Sequence, residues 1–91
     1  MRFMTIKKVH YDEILAGTKT NEYRAVSKTS RFLLEYEKPF IAFHYYKKNR
    51  IICSVKKITV IKSPSRLVGQ HGIGETCIVI EIGKVREEWI Q

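Results

Sequence analysis

Lys19, Glu22 and Arg24 place an ammonium, a carboxylate and a guanidinium within one short run of the chain. Arginine offers rigid paired donors that suit a phosphate or the edge of a nucleobase. Lysine adds a point charge, and glutamate can align the cations or accept a ligand proton. The plainer reading makes Glu22 and Arg24 neighbours on a sheet face, joined by a surface ion pair worth about 0–1 kcal/mol. A strand over Thr18 to Tyr23 would set Thr20, Glu22 and Arg24 on one face, with Lys19, Asn21 and Tyr23 on the other. Lys19 stands where the backbone is still leaving the preceding helix, so alternation does not fix its direction.

A second basic group runs from His44 through Tyr45, Tyr46, Lys47, Lys48 and Asn49 to Arg50. Rings beside cations serve single-stranded RNA, stacking on bases while neutralising phosphates. The alternative is a hairpin with one core tyrosine and a solvated charged turn. His44 and Tyr46 share a strand face, so two rings can be presented together. Lys7, at the end of the first strand, completes the candidate binding set of Lys7, Lys19, Glu22, Arg24, His44, Tyr46, Lys47, Lys48 and Arg50. If the chain is an enzyme, Lys19 and Glu22 are the candidate catalytic groups, and Lys19 with Tyr46, His44 or His71 could support acid–base cleavage of RNA. Otherwise the catalytic residues are unknown. His10, His44 and His71 are scattered without metal-ligand spacing, so neither a metal nor a cofactor is expected. Gly69 to Gly74 lacks the Gly-Lys-Ser/Thr ending of a phosphate loop and reads as a mobile rim.

These groups need a scaffold. Arg2 to Lys7 reads as a strand and His10 to Ala16 as a short helix that must pack to persist, with Ile14 and Leu15 inward. Gly17 falls where a left-handed cap ends a helix. Ala25 to Tyr36 is helical or irregular and covers the sheet. Pro39 can begin a strand, and from Phe40 the alternation is clear: Ile41, Phe43 and Tyr45 oppose Ala42, His44 and Tyr46. In the following strand, Arg50 to Ile61, the apolar phase moves from Ile51, Cys53 and Val55 to Ile58 and Val60. A strand with one buried face needs a bulge or bend at Lys56-Lys57 to absorb that slip. Bent long strands close small sheets into barrels. Lys62 to Glu75 is a loop, Thr76 to Val85 a central strand, and Trp89 is expected to fold back on the barrel.

Gly17, Lys19, Glu22 and Arg24 match G-x-K-x-x-E-x-R, and the strand–helix approach through Ile6, His10, Asp12, Ile14 and Leu15 accompanies them. In this the chain resembles the ASCH (activating-signal-cointegrator homology) domains, most clearly over residues 3 to 24. The resemblance implies a PUA-like β-barrel with a cleft beside the helix, and RNA-related work. Where many members carry a Gly-Asp turn before the third strand, this chain has Glu37-Lys38-Pro39. Some small proteins resembling the family are amidohydrolases acting on acetylated cytidine, with a threonine nucleophile three residues after the lysine. Here Glu22 holds that position and Thr20 follows Lys19 directly. A carboxylate is a poor substitute for an activated hydroxyl in acyl transfer. Others resemble ribonucleases.

Ninety-one residues make a single domain, 1–91, able to bury roughly 60–65% of its unfolded surface. The expected class is mainly β with short helices (α+β), an ASCH-type, PUA-like barrel. Seventeen Lys and Arg against nine Asp and Glu give a net charge of +8, which favours polyanionic partners. Cys53 and Cys77 read as small core residues of a reducing compartment. With no secretory or membrane-spanning apolar run, a cytoplasmic protein is expected. The functional expectation is RNA or nucleotide-like ligand binding around the signature. A small hydrolase acting on RNA or modified nucleosides, and a protein–protein adaptor whose charge is incidental, stand beside it.

Overall fold

The computed structural model describes residues 2–46 and 49–89. Among these residues, five strands and one α-helix form a curled half-barrel: β1 (Arg2–Thr5), α1 (Lys8–Ala16), β2 (Asn21–Ala25), β3 (Phe40–Tyr46), β4 (Asn49–Lys62) and β5 (Thr76–Trp89). Short 3-10 turns lie at Arg31–Glu35 and Ser65–Leu67. The sheet order is β1-β3-β4-β5-β2, with β1 parallel to β3 and every other pairing antiparallel. The strands that flank the helix in sequence therefore stand at opposite edges of the sheet. No helix among the described residues is long and apolar enough to cross a membrane.

The concave face holds the main core. Ile41 and Phe43 of β3, Ile51 and Cys53 of β4, and Ile78, Ile80 and Ile82 of β5 pack there with Leu33 from the first 3-10 turn. Helix α1 begins two residues earlier than its sequence pattern suggests and buries Tyr11 and Ile14. Leu15, expected inward, is 41% exposed. The inward stripe is Tyr11 and Ile14, an i,i+3 pair that can share a face, whereas the adjacent residues Ile14 and Leu15 point about 100° apart. The Tyr11 ring meets Tyr45 edge-on with centroids 4.7 Å apart, and its hydroxyl donates to Glu87 Oε2 at 2.9 Å. Burial, followed by that bond to Glu87, pushes the Tyr11 hydroxyl above its ordinary range.

The two long strands carry the expected irregularity twice. Between Cys53↔Val85 and Val55↔Ile82, Gly83 and Lys84 of β5 face the single residue Ser54. Between Val55↔Ile82 and Lys57↔Glu81, Lys56 stands without a counterpart, so the two offsets cancel. The inward set moves from Cys53 and Val55 to Ile58 on β4, while on β5 it moves from Ile82 to Val85. Lys84 N donates to Ser54 Oγ at 2.7 Å across the irregularity. Gly83 is required there because a Cβ would collide with the same hydroxyl.

A smaller cluster lies behind β2 and β5. Cys77 and Val79 join Ile73, with Tyr23, Ala25 and Leu67 against them. The loop at 63–75 is thereby tied to the sheet. Its own bonds hold it further: Gly69 N donates to Ile73 O at 2.8 Å, and Ser63 N to Glu75 O at 2.8 Å. The signature strand, expected from Thr18, begins at Asn21; the preceding residues are spent on ending the helix. The expected packing of the Trp89 side chain lies outside the described residues.

Candidate nucleotide-binding cleft

Helix α1 ends in a Schellman arrangement. Gly17 adopts φ +80°, its N–H donates to Ile14 O, and Thr18 N–H donates to Glu13 O at 3.0 Å. The same Glu13 carbonyl accepts from Lys19 N–H at 3.1 Å and from Thr18 Oγ1 at 3.2 Å. Three residues beyond the helix are thus fixed to its last turn, which decides the direction that alternation leaves open for Lys19. Its ammonium turns toward Glu22, with Nζ 3.5 Å from Oε1, and lies 5.7 Å from the centroid of the Tyr23 ring.

Glu22 is the centre of the arrangement and is only 5% exposed. It projects from β2 opposite Ile80, into the curl of the sheet. Arg24 engages its second oxygen from Nε at 3.0 Å and Nη2 at 2.9 Å. The same Nη2 also donates to the Thr5 carbonyl at 2.9 Å. That carbonyl belongs to β1, so Arg24 bridges the two sheet edges where the curl fails to close by strand pairing. A carboxylate this buried needs both partners; removing either leaves charge short of compensation. The negative charge of Glu22 reaches the core as well. Burial first, and Glu22 second, push the Cys53 thiol up to about 12.

Around these three residues opens a cleft of about 580 Å³, walled by α1 and its exit, β2 and the loop at 63–75. Lys7 and His10 line one side, while Arg66, Gln70 and His71 line the other. Two cations approach the Tyr23 ring, with Arg66 also 5.7 Å from its centroid. Glu13 is a second carboxylate at the rim, with His10 Nδ1 3.3 Å from its Oε1. Among the described residues no three His, Cys, Asp or Glu side chains are grouped to hold a metal ion.

Of the candidate binding residues, the cleft unites Lys7, Lys19, Glu22 and Arg24. His44 and Arg50 stand elsewhere. His44 Nε2 lies 3.3 Å from Thr5 Oγ1, on the far side of β1 from Arg24. Arg50 is paired with Glu88 Oε2 at 2.9 Å, and its guanidinium lies 5.2 Å from the Phe3 ring centroid. The readings for Lys47, Lys48 and the Tyr46 side chain lie outside the described residues. For acid–base cleavage, Lys19 shares the cleft with His71 but not with His44. The sequence pattern does not single out Arg66, Gln70 or Tyr23 as cleft residues. Arg66 and Gln70 belong to a loop without periodicity, and the one available signal was a cation just after Pro64-Ser65. No protein-family model, curated protein or solved structure matches this chain.

Proposed function

We propose that this protein binds single-stranded RNA or a nucleotide-like ligand in the cleft centred on Lys19, Glu22 and Arg24. One observation carries the reading: two cations share a buried carboxylate at the cleft floor, with Lys7 and Arg66 on its walls. Glu22 orients the pair and only partly neutralises it, so four cations face two acids, Glu13 and Glu22. A site with that excess favours a phosphate, and Tyr23, close to both Lys19 and Arg66, supplies a ring beside the charge. The resemblance of Gly17, Lys19, Glu22 and Arg24 to the ASCH signature supports the same reading, and a PUA-like fold is part of it. The net charge of +8 would add steering toward polyanions.

Fluorescence anisotropy with a labelled single-stranded oligoribonucleotide, repeated across salt concentrations, tests this. With about four phosphates neutralised, log affinity falls against log salt with a slope of about −3. Lys19→Ala and Arg66→Ala each weaken binding and flatten that slope by less than one. They are cleaner probes than Arg24→Ala, because Arg24 also ties β2 to β1. If both variants leave affinity and slope unchanged while neutralising Lys47 and Lys48 abolishes binding, the cleft assignment is wrong.

A second reading, a small hydrolase acting on RNA, is favoured by one feature. Two imidazoles, His10 and His71, line the same cleft as Lys19. Incubating RNA with the protein and with His10→Ala and His71→Ala variants would decide it, since cleavage must be lost in one of them.

A further inference from the structure

Beside the cationic cleft lies a second one of about 440 Å³, between β1 and the segment that follows β2. The two share Thr5, Arg24, Ala25 and His71, so they form one groove with Arg24 and His71 at the division. Their chemistry differs. The first is walled by cations. The second is walled by Phe3, Phe32 and the hydroxyl residues Ser27, Thr29 and Ser30, and among the described residues its strong cation is the shared Arg24.

Phe3 is a large apolar side chain left 48% exposed on an edge strand. Its ring is backed by the Arg50 guanidinium, 5.2 Å from the centroid, which Glu88 holds through Nε at 3.0 Å. A half-exposed ring with a guanidinium held against it has the chemistry of a stacking platform. Arg24, at the division, uses Nε and Nη2 on Glu22 and Thr5; Nη1 has no partner among the described residues. Among the described residues its two N–H groups have no acceptor, and Arg24 lines both halves of the groove.

We propose that the groove holds two consecutive nucleotides of a single-stranded RNA. One lies in the cationic cleft, its neighbour stacks on Phe3 in the second cleft, and the phosphodiester between them is bound by Arg24 Nη1. This rests on the nucleotide reading of the first cleft and adds the minimum ligand: a dinucleotide, not a mononucleotide. The hydroxyls of Ser27 and Thr29, 3.1 Å from each other, retain capacity for one further bond each to a ribose or base edge without adding charge. Arg50 enters as a positioning residue, acting through the Phe3 ring.

Isothermal titration with a nucleoside monophosphate and with the corresponding dinucleotide separates the possibilities. Stacking one base on an aromatic side chain strengthens affinity by roughly fivefold to a hundredfold. The dinucleotide should therefore bind at least about tenfold tighter. Phe3→Ala should reduce that advantage to within about twofold while leaving mononucleotide affinity unchanged, and Phe3→Trp should keep it. Lys19→Ala should weaken both ligands. Thermal melts of each variant confirm that it is folded, and Phe3→Leu serves in place of the alanine variant should that one fail to fold. Equal affinity for the two ligands overturns the two-nucleotide groove but leaves the first cleft standing. So does an equal loss for both on changing Phe3. If the unaltered protein binds neither ligand, the nucleotide reading itself falls, and this extension with it.

Discussion

Glu22 sets the energetics of the cleft through its position. Its carboxylate is buried with cations on both oxygens, and those cations are themselves only partly exposed. Glu22→Ala strands Lys19 and Arg24 near each other, and should cost about 2–3 kcal/mol, somewhat below the loss for a fully buried pair. Chemical denaturation would measure it, and a loss under about 0.5 kcal/mol would show that the trio is ordinary surface charge. Cys53 gives a second prediction at this scale. Burial pushes its folded thiol up to about 12 from the ordinary 9.0. As pH rises past 9.0 the unfolded chain releases its thiol proton first. The stability tied to this burial is therefore whole below about pH 9 and lost as pH climbs toward 12. Tyr11 acts in the same direction at higher pH. Stability measured from pH 8 to 11 should fall, and Cys53→Ala should make the fall shallower. Folded protein should also resist thiol reagents at neutral pH.

The paired irregularity in β4 and β5 is where sequence and structure correspond best. Alternation alone places a slip at Lys56-Lys57, because Ile51, Cys53 and Val55 cannot share a face with Ile58 in a regular strand. Gly17 is legible for a similar local reason: a glycine after a short apolar helix has one common use. What lay beyond the sequence is non-local. The pairing of β2 with β5 joins residues more than fifty positions apart, and β1 lies parallel to β3; neither leaves a periodic trace. Arg66, Gln70 and His71 reach the cleft because Leu67 and Ile73 anchor their loop behind β2, a packing fact that composition does not announce. At this scale Gly83→Ala is the informative change. It forces a Cβ onto Ser54 Oγ and should cost about 1–3 kcal/mol, a fall in Tm of about 4–8 °C per kcal/mol. Combining it with Ser54→Gly should recover part of that loss, since the colliding atom is gone. No recovery would mean that the backbone, not the hydroxyl, sets the limit.

Across the whole molecule, the half-barrel has two kinds of join. Between β4 and β5 a long ladder holds the sheet, whereas β1 and β2 are connected across the open seam by Arg24 and the Thr5 carbonyl. Local opening should follow that difference. Arg24→Ala should speed amide hydrogen exchange in β1 and β2 while leaving β4 and β5 protected, and an equal increase everywhere would show that the seam is not a separate unit.

The strand order also has a consequence for how the protein is made. Glu22 and Arg24 are translated early, but the strand that carries them pairs only with β5, among the last stretches of this sequence to be synthesised. On a translating ribosome the N-terminal fifty residues can form a transient helix, but no cleft. During that interval Glu22 remains in water, free of its burial cost, and the three charged side chains are not yet held together. Stalling synthesis after residue 75 should therefore leave a chain whose Lys19 and Arg24 are as accessible to modifying reagents as those of an unfolded peptide. Extension through Ile82 and beyond should protect both at once, because the cleft forms only when β5 joins β2.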